Sequence, residues 1–74
     1  MQLLEAINGK WMRVVRVEGD SALKNRLTQY GLYPGDLLRV LRTAPLDGPL
    51  LVEINGREIA LGRGVAQKIF IEEG

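Results

Sequence analysis

Asn55-Gly56 constrains the fold of this chain more than any other feature, because it separates two short apolar runs by two residues. In residues 50–54, Leu50, Val52 and Ile54 share one face, and in residues 57–61 Ile59 and Leu61 do, which is the two-residue period of a β-strand. A type I′ turn needs positive φ at both central positions, and Asn followed by Gly adopts it readily. The sequence therefore predicts an antiparallel hairpin over residues 50–61.

Turn residues divide the rest of the chain into segments of strand length. Pro34-Gly35 predicts a type II turn, because proline fixes the first central φ and glycine supplies a positive second one. Pro45 and Pro49 bound a further loop. Strands are predicted over residues 10–17, 37–43, 50–54, 57–61 and 68–72. Imperfect alternation in the first of them allows a β-bulge.

One segment has helical spacing instead. Within residues 22–30, Leu23, Leu27 and Tyr30 fall at i, i+4 and i+7 on one helix face. An Asp-Ser pair precedes the segment and a glycine follows it, as is typical of helix N- and C-caps. A shorter helical turn is expected over residues 62–66.

These elements predict a mostly β fold: a small β-barrel of about five strands with one short α-helix. Residues 1–74 are expected to form a single domain, and the sheet is expected to close on itself, since closure removes exposed strand edges. The helix would cover one open end through Leu23 and Leu27. Trp11 and Phe70 are expected in or beside the core. The central core residues expected are Leu27, Val40, Val52 and Ile69.

Composition argues against an enzyme. The chain has no His and no Cys, and Ser21, its only serine, lies at the predicted helix start with no base to activate it. No glycine-rich segment has the spacing of a phosphate-binding loop. We expect no catalytic residues and no cofactor.

The charges are balanced, with ten Lys and Arg against nine Asp and Glu. Nucleic-acid binding usually requires a strongly basic field, so we expect no nucleic acid partner. No apolar run approaches the roughly 20 residues of a membrane span. With no secretory signal and no cysteine, the expected location is the cytoplasm.

Carboxylates are the only strong metal ligands available, whereas transition metals of intermediate softness favour imidazole and thiolate as well. Glu72 and Glu73 are adjacent, but neighbouring strand residues point to opposite faces. Glu18 and Asp20 flank a turn and would meet a cation only weakly. We expect no metal site, and leave weak divalent-cation binding open.

Three apolar side chains are predicted at or near loops, where small folds often bind partners. Tyr30 ends the helix, Tyr33 lies in the following turn, and Leu46 lies in the loop between the two prolines. The sequence favours these residues as a partner-binding surface, although loop residues folded back over the barrel end would give the same pattern.

Several segments, taken in order, resemble the FeoA family of bacterial ferrous-iron transport. Arg26–Gly35 is similar to the family's Arg-Leu, Gly-Leu, x-Pro-Gly segment, and Ala44–Pro49 to its Ala-Pro-Leu-Gly-Asp-Pro loop with Gly and Asp exchanged. Ile59–Leu61 and Ala66–Ile69 resemble its closing hairpin and strand. The chain departs from the family at Tyr30, Gly62 and Gly64.

The resemblance implies an SH3-like barrel and an accessory role in ferrous-iron uptake. It implies as partner the FeoB-type transporter, a large membrane protein, with its cytoplasmic GTP-hydrolysing domain as the docking target. A related module also occurs at the C-terminus of metal-dependent transcriptional repressors of the diphtheria toxin repressor type. The alternative function is therefore a regulatory domain of such transcriptional control.

Overall fold

The structure is a computed structural model and describes all residues from Met1 to Gly74. Five antiparallel strands form one sheet: β1 (Met12–Val17), β2 (Leu37–Thr43), β3 (Leu50–Ile54), β4 (Arg57–Leu61) and β5 (Ile69–Glu73). Their order in the sheet is β4-β3-β2-β1-β5. The mostly β architecture predicted from the sequence is confirmed.

Two helices and a 3₁₀ turn complete the fold. Helix α1 spans Ser21–Gln29 and the single-turn helix α2 spans Arg63–Ala66. The 3₁₀ turn at Leu3–Glu5 was not predicted, and it buries Leu3 completely against the core. Neither helix has the length and apolarity needed to cross a membrane.

The sheet does not close into a barrel, so the expectation of full closure was wrong. Strands β4 and β5 are its two edges. The N-terminus covers the edge of β5 instead: the Ile71 amide donates to the Met1 carbonyl oxygen at 2.8 Å, and Gln2 bridges to Phe70. No strand pairs with the outer edge of β4. The pairing of the N-terminus with β5 joins residues far apart in the chain, so the alternation within a single strand could not predict it.

Strand β1 is irregular, as its pattern predicted. Its register against β5 shifts between Val14 and Arg16, which is the signature of a bulge. It pairs with β2 only through Met12 and Leu38 and through Arg13 and Leu37. Beyond Arg13, β1 runs past the start of β2: the Val14 amide donates to the Asp36 carbonyl oxygen at 2.8 Å, and the Gly35 amide donates to the Val14 carbonyl oxygen at 2.7 Å. From Val14 to Val17 the strand that pairs with β1 is β5.

Fourteen buried apolar residues form one core cluster, and no charged or polar residue is buried. Leu27, Val40, Val52 and Ile69 all belong to it, which confirms the predicted core positions. Trp11 does not: it is 42% exposed on the outer face of the sheet, beneath the guanidinium of Arg39 at 4.8 Å. Phe70 is half-buried, and the Arg16 guanidinium lies 4.2 Å from the centroid of its ring. Cation–π stacking, rather than core packing, accounts for both positions.

Replacing Asp20 with Ala is expected to lower the free energy of unfolding by about 1 kcal/mol. The reason is that Asp20 Oδ1 accepts a hydrogen bond from the Leu23 amide at 2.9 Å, capping the first turn of α1. Urea denaturation measures the loss: the midpoint should fall, while the slope of the unfolding free energy against urea concentration stays unchanged. Ser21→Ala is the matched control, since Ser21 lies inside the helix and is not the N-cap. Equal midpoints for the two variants would contradict the assignment of the cap.

Candidate functional site

The end of α1 is fixed by a Schellman motif. Gly31 adopts a φ of 82°, and its amide donates to the Thr28 carbonyl oxygen at 2.9 Å. The Leu32 amide donates to the Leu27 carbonyl oxygen at 3.0 Å, and both leucine side chains are buried. This is the double hydrogen bond and apolar contact that end many helices. The chain therefore leaves the helix in a defined direction, which sets the position of the next turn.

The turn between β3 and β4 holds this helix end in place. The Asn55 side-chain amide donates to the Gly31 carbonyl oxygen at 3.1 Å, and the Arg57 guanidinium donates to the carbonyl oxygen of Tyr30. Asn55 and Gly56 both have positive φ, as the predicted type I′ turn requires. Tyr30 is half-buried and packs against the core. Part of the Tyr30 side chain is therefore used in packing against the core.

Tyr33 lies in the predicted type II turn and is 51% exposed. Gly35 has a φ of 95°, and the Asp36 amide donates back to the Tyr33 carbonyl oxygen at 3.1 Å. The Tyr33 amide donates to Asp36 Oδ2 at 3.0 Å, and Arg13 Nη1 donates to the Gly35 carbonyl oxygen at 2.7 Å. A rigid turn thus presents a half-exposed tyrosine ring.

Leu46 is at the tip of the hairpin between β2 and β3, and 99% of its surface is exposed. Leu46 and Asp47 have φ values of 58° and 57°. The Gly48 amide donates to the Pro45 carbonyl oxygen at 3.1 Å, closing a two-residue turn with positive φ at both central positions. Leucine is unsuited to this backbone, since left-handed conformations cost roughly 1–2 kcal/mol for residues with a Cβ. Both the backbone and the solvent therefore disfavour leucine here.

The structure does not bring the three predicted residues into one cluster. Tyr30 and Tyr33 lie where β2 begins, beside the turn between β3 and β4. Leu46 follows the other end of β2, and seven strand residues, roughly 20 Å of extended chain, run between. The three residues therefore do not form the single surface that the sequence favoured. They form two separate candidate contact points, whose role in binding stays a prediction.

An open cleft of about 300 Å³ between α1 and the end of β1 was not predicted. Its lining residues are Arg16, Val17, Lys24, Leu27, Thr28, Leu32 and Pro34. The apolar members come from the helix, the strand and the segment before the type II turn. The sequence offered no direct indication of it, because the cleft forms only where the end of β1, α1 and the segment that follows α1 come together in space.

The carboxylates are dispersed, and no group of three or more lies close enough to hold a metal ion. Glu18 pairs with Arg16 at 3.0 Å, and Asp20 caps α1. Glu73 pairs with Lys10 at 2.6 Å. The hydrogen bond from the Lys10 ammonium, together with its charge, lowers the pKa of Glu73. Of the acidic residues that the sequence singled out, Glu18, Asp20 and Glu73 are thus engaged within the chain.

We predict that ferrous iron binds this chain more weakly than roughly micromolar, which corresponds to about 8 kcal/mol of binding free energy. The reason is the lack of imidazole and thiolate ligands in a chain whose carboxylates do not converge. Anaerobic calorimetry would measure the affinity. Stoichiometric binding in the submicromolar range would contradict the prediction.

Comparison with known proteins identifies the class. Residues 1–73 match the FeoA domain family. A putative Fe(2+) transport protein A of Methanocaldococcus jannaschii is 32% identical over 68 residues, which cover 92% of this chain and 80% of that protein. A Fe(2+) transport protein A/Fe(2+) transporter FeoB fusion protein of Porphyromonas gingivalis is 33% identical over 72 residues, which cover 97% of this chain and 8% of the fusion protein.

Solved structures agree with this grouping. The solution structure of iron(II) transport protein A from Clostridium thermocellum has a TM-score of 0.93 and 30% identity, covering 99% of this chain and 45% of that one. The manganese-activated repressor ScaR has a TM-score of 0.89 and 28% identity, covering all of this chain and 35% of the repressor. This chain therefore spans less than half of either solved protein.

The fold and these likenesses define a small SH3-like domain, of the kind found both in FeoA proteins and in metal-dependent repressors. The family match over nearly the whole length decides between these two groups. The chain belongs to the FeoA family.

Proposed function

We propose that this chain is a cytoplasmic accessory protein of ferrous-iron transport, and that it acts as an interaction module rather than an enzyme. Its partner is the cytoplasmic GTP-hydrolysing domain of a FeoB-type transporter, for which ferrous iron is the cargo. The fusion protein of Porphyromonas gingivalis supports this pairing, since its name joins transport protein A and transporter FeoB in one polypeptide. Two domains that function when fused often function as binding partners when separate.

The exposed leucine at the hairpin tip is the observation that carries the proposal. Burying a leucine side chain is worth about 1.5–3 kcal/mol, and Leu46 gains none of this in the isolated chain. Its left-handed backbone adds strain that Asn or Gly would largely avoid. A residue disfavoured in both ways is best explained by a gain on binding, where an apolar pocket of the partner would cover it.

Tyr33 supplies the second contact point. Tyrosine contributes a large contact area with little side-chain entropy to lose, and its hydroxyl tolerates water in the free state. The hydrogen bonds that hold its turn keep the ring's position largely set before binding, which lowers the ordering cost.

The test is a calorimetric titration of the purified chain into the purified cytoplasmic domain of the FeoB-type transporter from the same organism. We expect saturable binding with 1:1 stoichiometry, with and without guanine nucleotide. A domain that shows no binding in any nucleotide state, while it still hydrolyses GTP, would exclude the proposed partner.

The second candidate function is a regulatory domain of metal-dependent transcriptional control, favoured by the likeness to ScaR. Under this function the chain would associate with the metal-sensing part of a repressor rather than with a transporter. Pull-down from host lysate, with membrane and soluble fractions examined separately, distinguishes the two. Recovery of a repressor and no transporter would favour the second candidate.

A further inference from the structure

The cleft between α1 and β1 has an apolar floor with positive charge on two sides. Leu27 and Leu32 are buried at its base, and Val17 is half-buried beside them. Lys24 rises from the helix wall and Arg16 from the strand wall. No carboxylate lines the cleft. An apolar group entering the cleft would therefore sit between two cationic side chains, with no carboxylate in the lining itself.

The nearby acidic residues leave one of these cations without a partner. Glu18 pairs with Arg16, and Asp20 is occupied as the helix cap. Lys24 forms no ion pair within 4.0 Å in this structure. The stack of Arg16 on Phe70 holds that guanidinium in place while leaving more than half of its side chain exposed. Lys24 is thus the unpaired cation of the cleft, whereas the Arg16 guanidinium, although partly exposed, already contacts Glu18.

We infer that this cleft binds one apolar side chain from an acidic segment of the partner protein, with a carboxylate beside it contacting Lys24. A volume of about 300 Å³ is ample for a leucine or phenylalanine side chain, and an acidic segment would supply the charge complementary to the unpaired Lys24. The inference rests on the proposed function, since the partner is the cytoplasmic domain of the transporter. The cleft would be a third contact point, and it adjoins the Tyr33 turn because Pro34 belongs to both.

Charge reversal at Lys24 tests the inference against a matched control. Lys24→Glu should weaken binding of the cytoplasmic domain about tenfold and reduce its salt dependence. Arg26→Glu makes the same charge change on the same helix, but Arg26 lies about 200° around the helix from Lys24 and does not line the cleft. It should change the affinity less than threefold. Both positions are exposed, so thermal melts should show folded variants.

Filling the cleft tests its apolar part separately. Thr28→Phe places a ring over the apolar floor from a half-buried lining position, and should also weaken binding about tenfold. If the unchanged chain binds and both cleft variants bind equally well, the cleft is not the site, while the proposed function stands. If Lys24→Glu and Arg26→Glu weaken binding alike, the attraction is unspecific and the inference is wrong. If the unchanged chain does not bind, the proposed function and this inference fail together.

Discussion

Replacing Leu27 with Ala is expected to lower the free energy of unfolding by about 2–4 kcal/mol, as lost burial and the cavity add. Leu27 is 1% exposed, belongs to the core cluster and lies at the base of the cleft between α1 and the end of β1. It also packs in the Schellman motif, where its carbonyl oxygen accepts the Leu32 amide. The loss affects helix docking and helix termination together, so α1 should also become less protected from hydrogen exchange.

Leu46→Ala is the matched control for this experiment. The chemical change is the same, but at a side chain that is 99% exposed, so it removes almost no buried surface. Urea titrations of both variants should show a clear drop in midpoint for Leu27→Ala and none for Leu46→Ala. A midpoint near that of the unchanged chain in Leu27→Ala would mean that α1 adds little to the core.

Local chemistry explains which parts of the fold could be predicted. The turn at Asn55-Gly56, the turn at Pro34-Gly35 and the end of α1 at Gly31 each depend on residues a few positions apart. Alternation within β2 and β3 likewise placed Val40 and Val52 inside, because a strand of period two has only two faces.

The parts that were missed depend on contacts between distant segments. Whether the sheet closes is decided by the path of β1 and by the N-terminus pairing with β5. Trp11 looked like a core residue by type, but Arg39 on the neighbouring strand covers it on the outer face. The separation of Tyr33 from Leu46 also follows from topology, since a strand between two loops puts them at opposite ends of the sheet.

Leu46 offers a test in which stability and binding should change in opposite directions. Leu46→Asn is expected to weaken association with the transporter's cytoplasmic domain by about 1–2 kcal/mol, because the apolar anchor is lost. The same change should raise the free energy of unfolding by a few tenths to about 1 kcal/mol, since Asn tolerates the left-handed backbone at φ 58°. Calorimetric titration and thermal melts measure the two quantities on the same sample.

Comparison with Ala separates the two causes. Leu46→Ala removes the apolar side chain but keeps a Cβ on the strained backbone, so binding should fall as in Leu46→Asn while stability stays nearly unchanged.

Tyr33→Ala should weaken association by about 1–2 kcal/mol as well. Because β2 separates the two positions, their effects on binding should add within about 0.5 kcal/mol in the double variant. Unchanged affinity in the double variant would exclude both contact points. A large drop in melting temperature on Tyr33→Ala would instead show that its ring stabilises the fold.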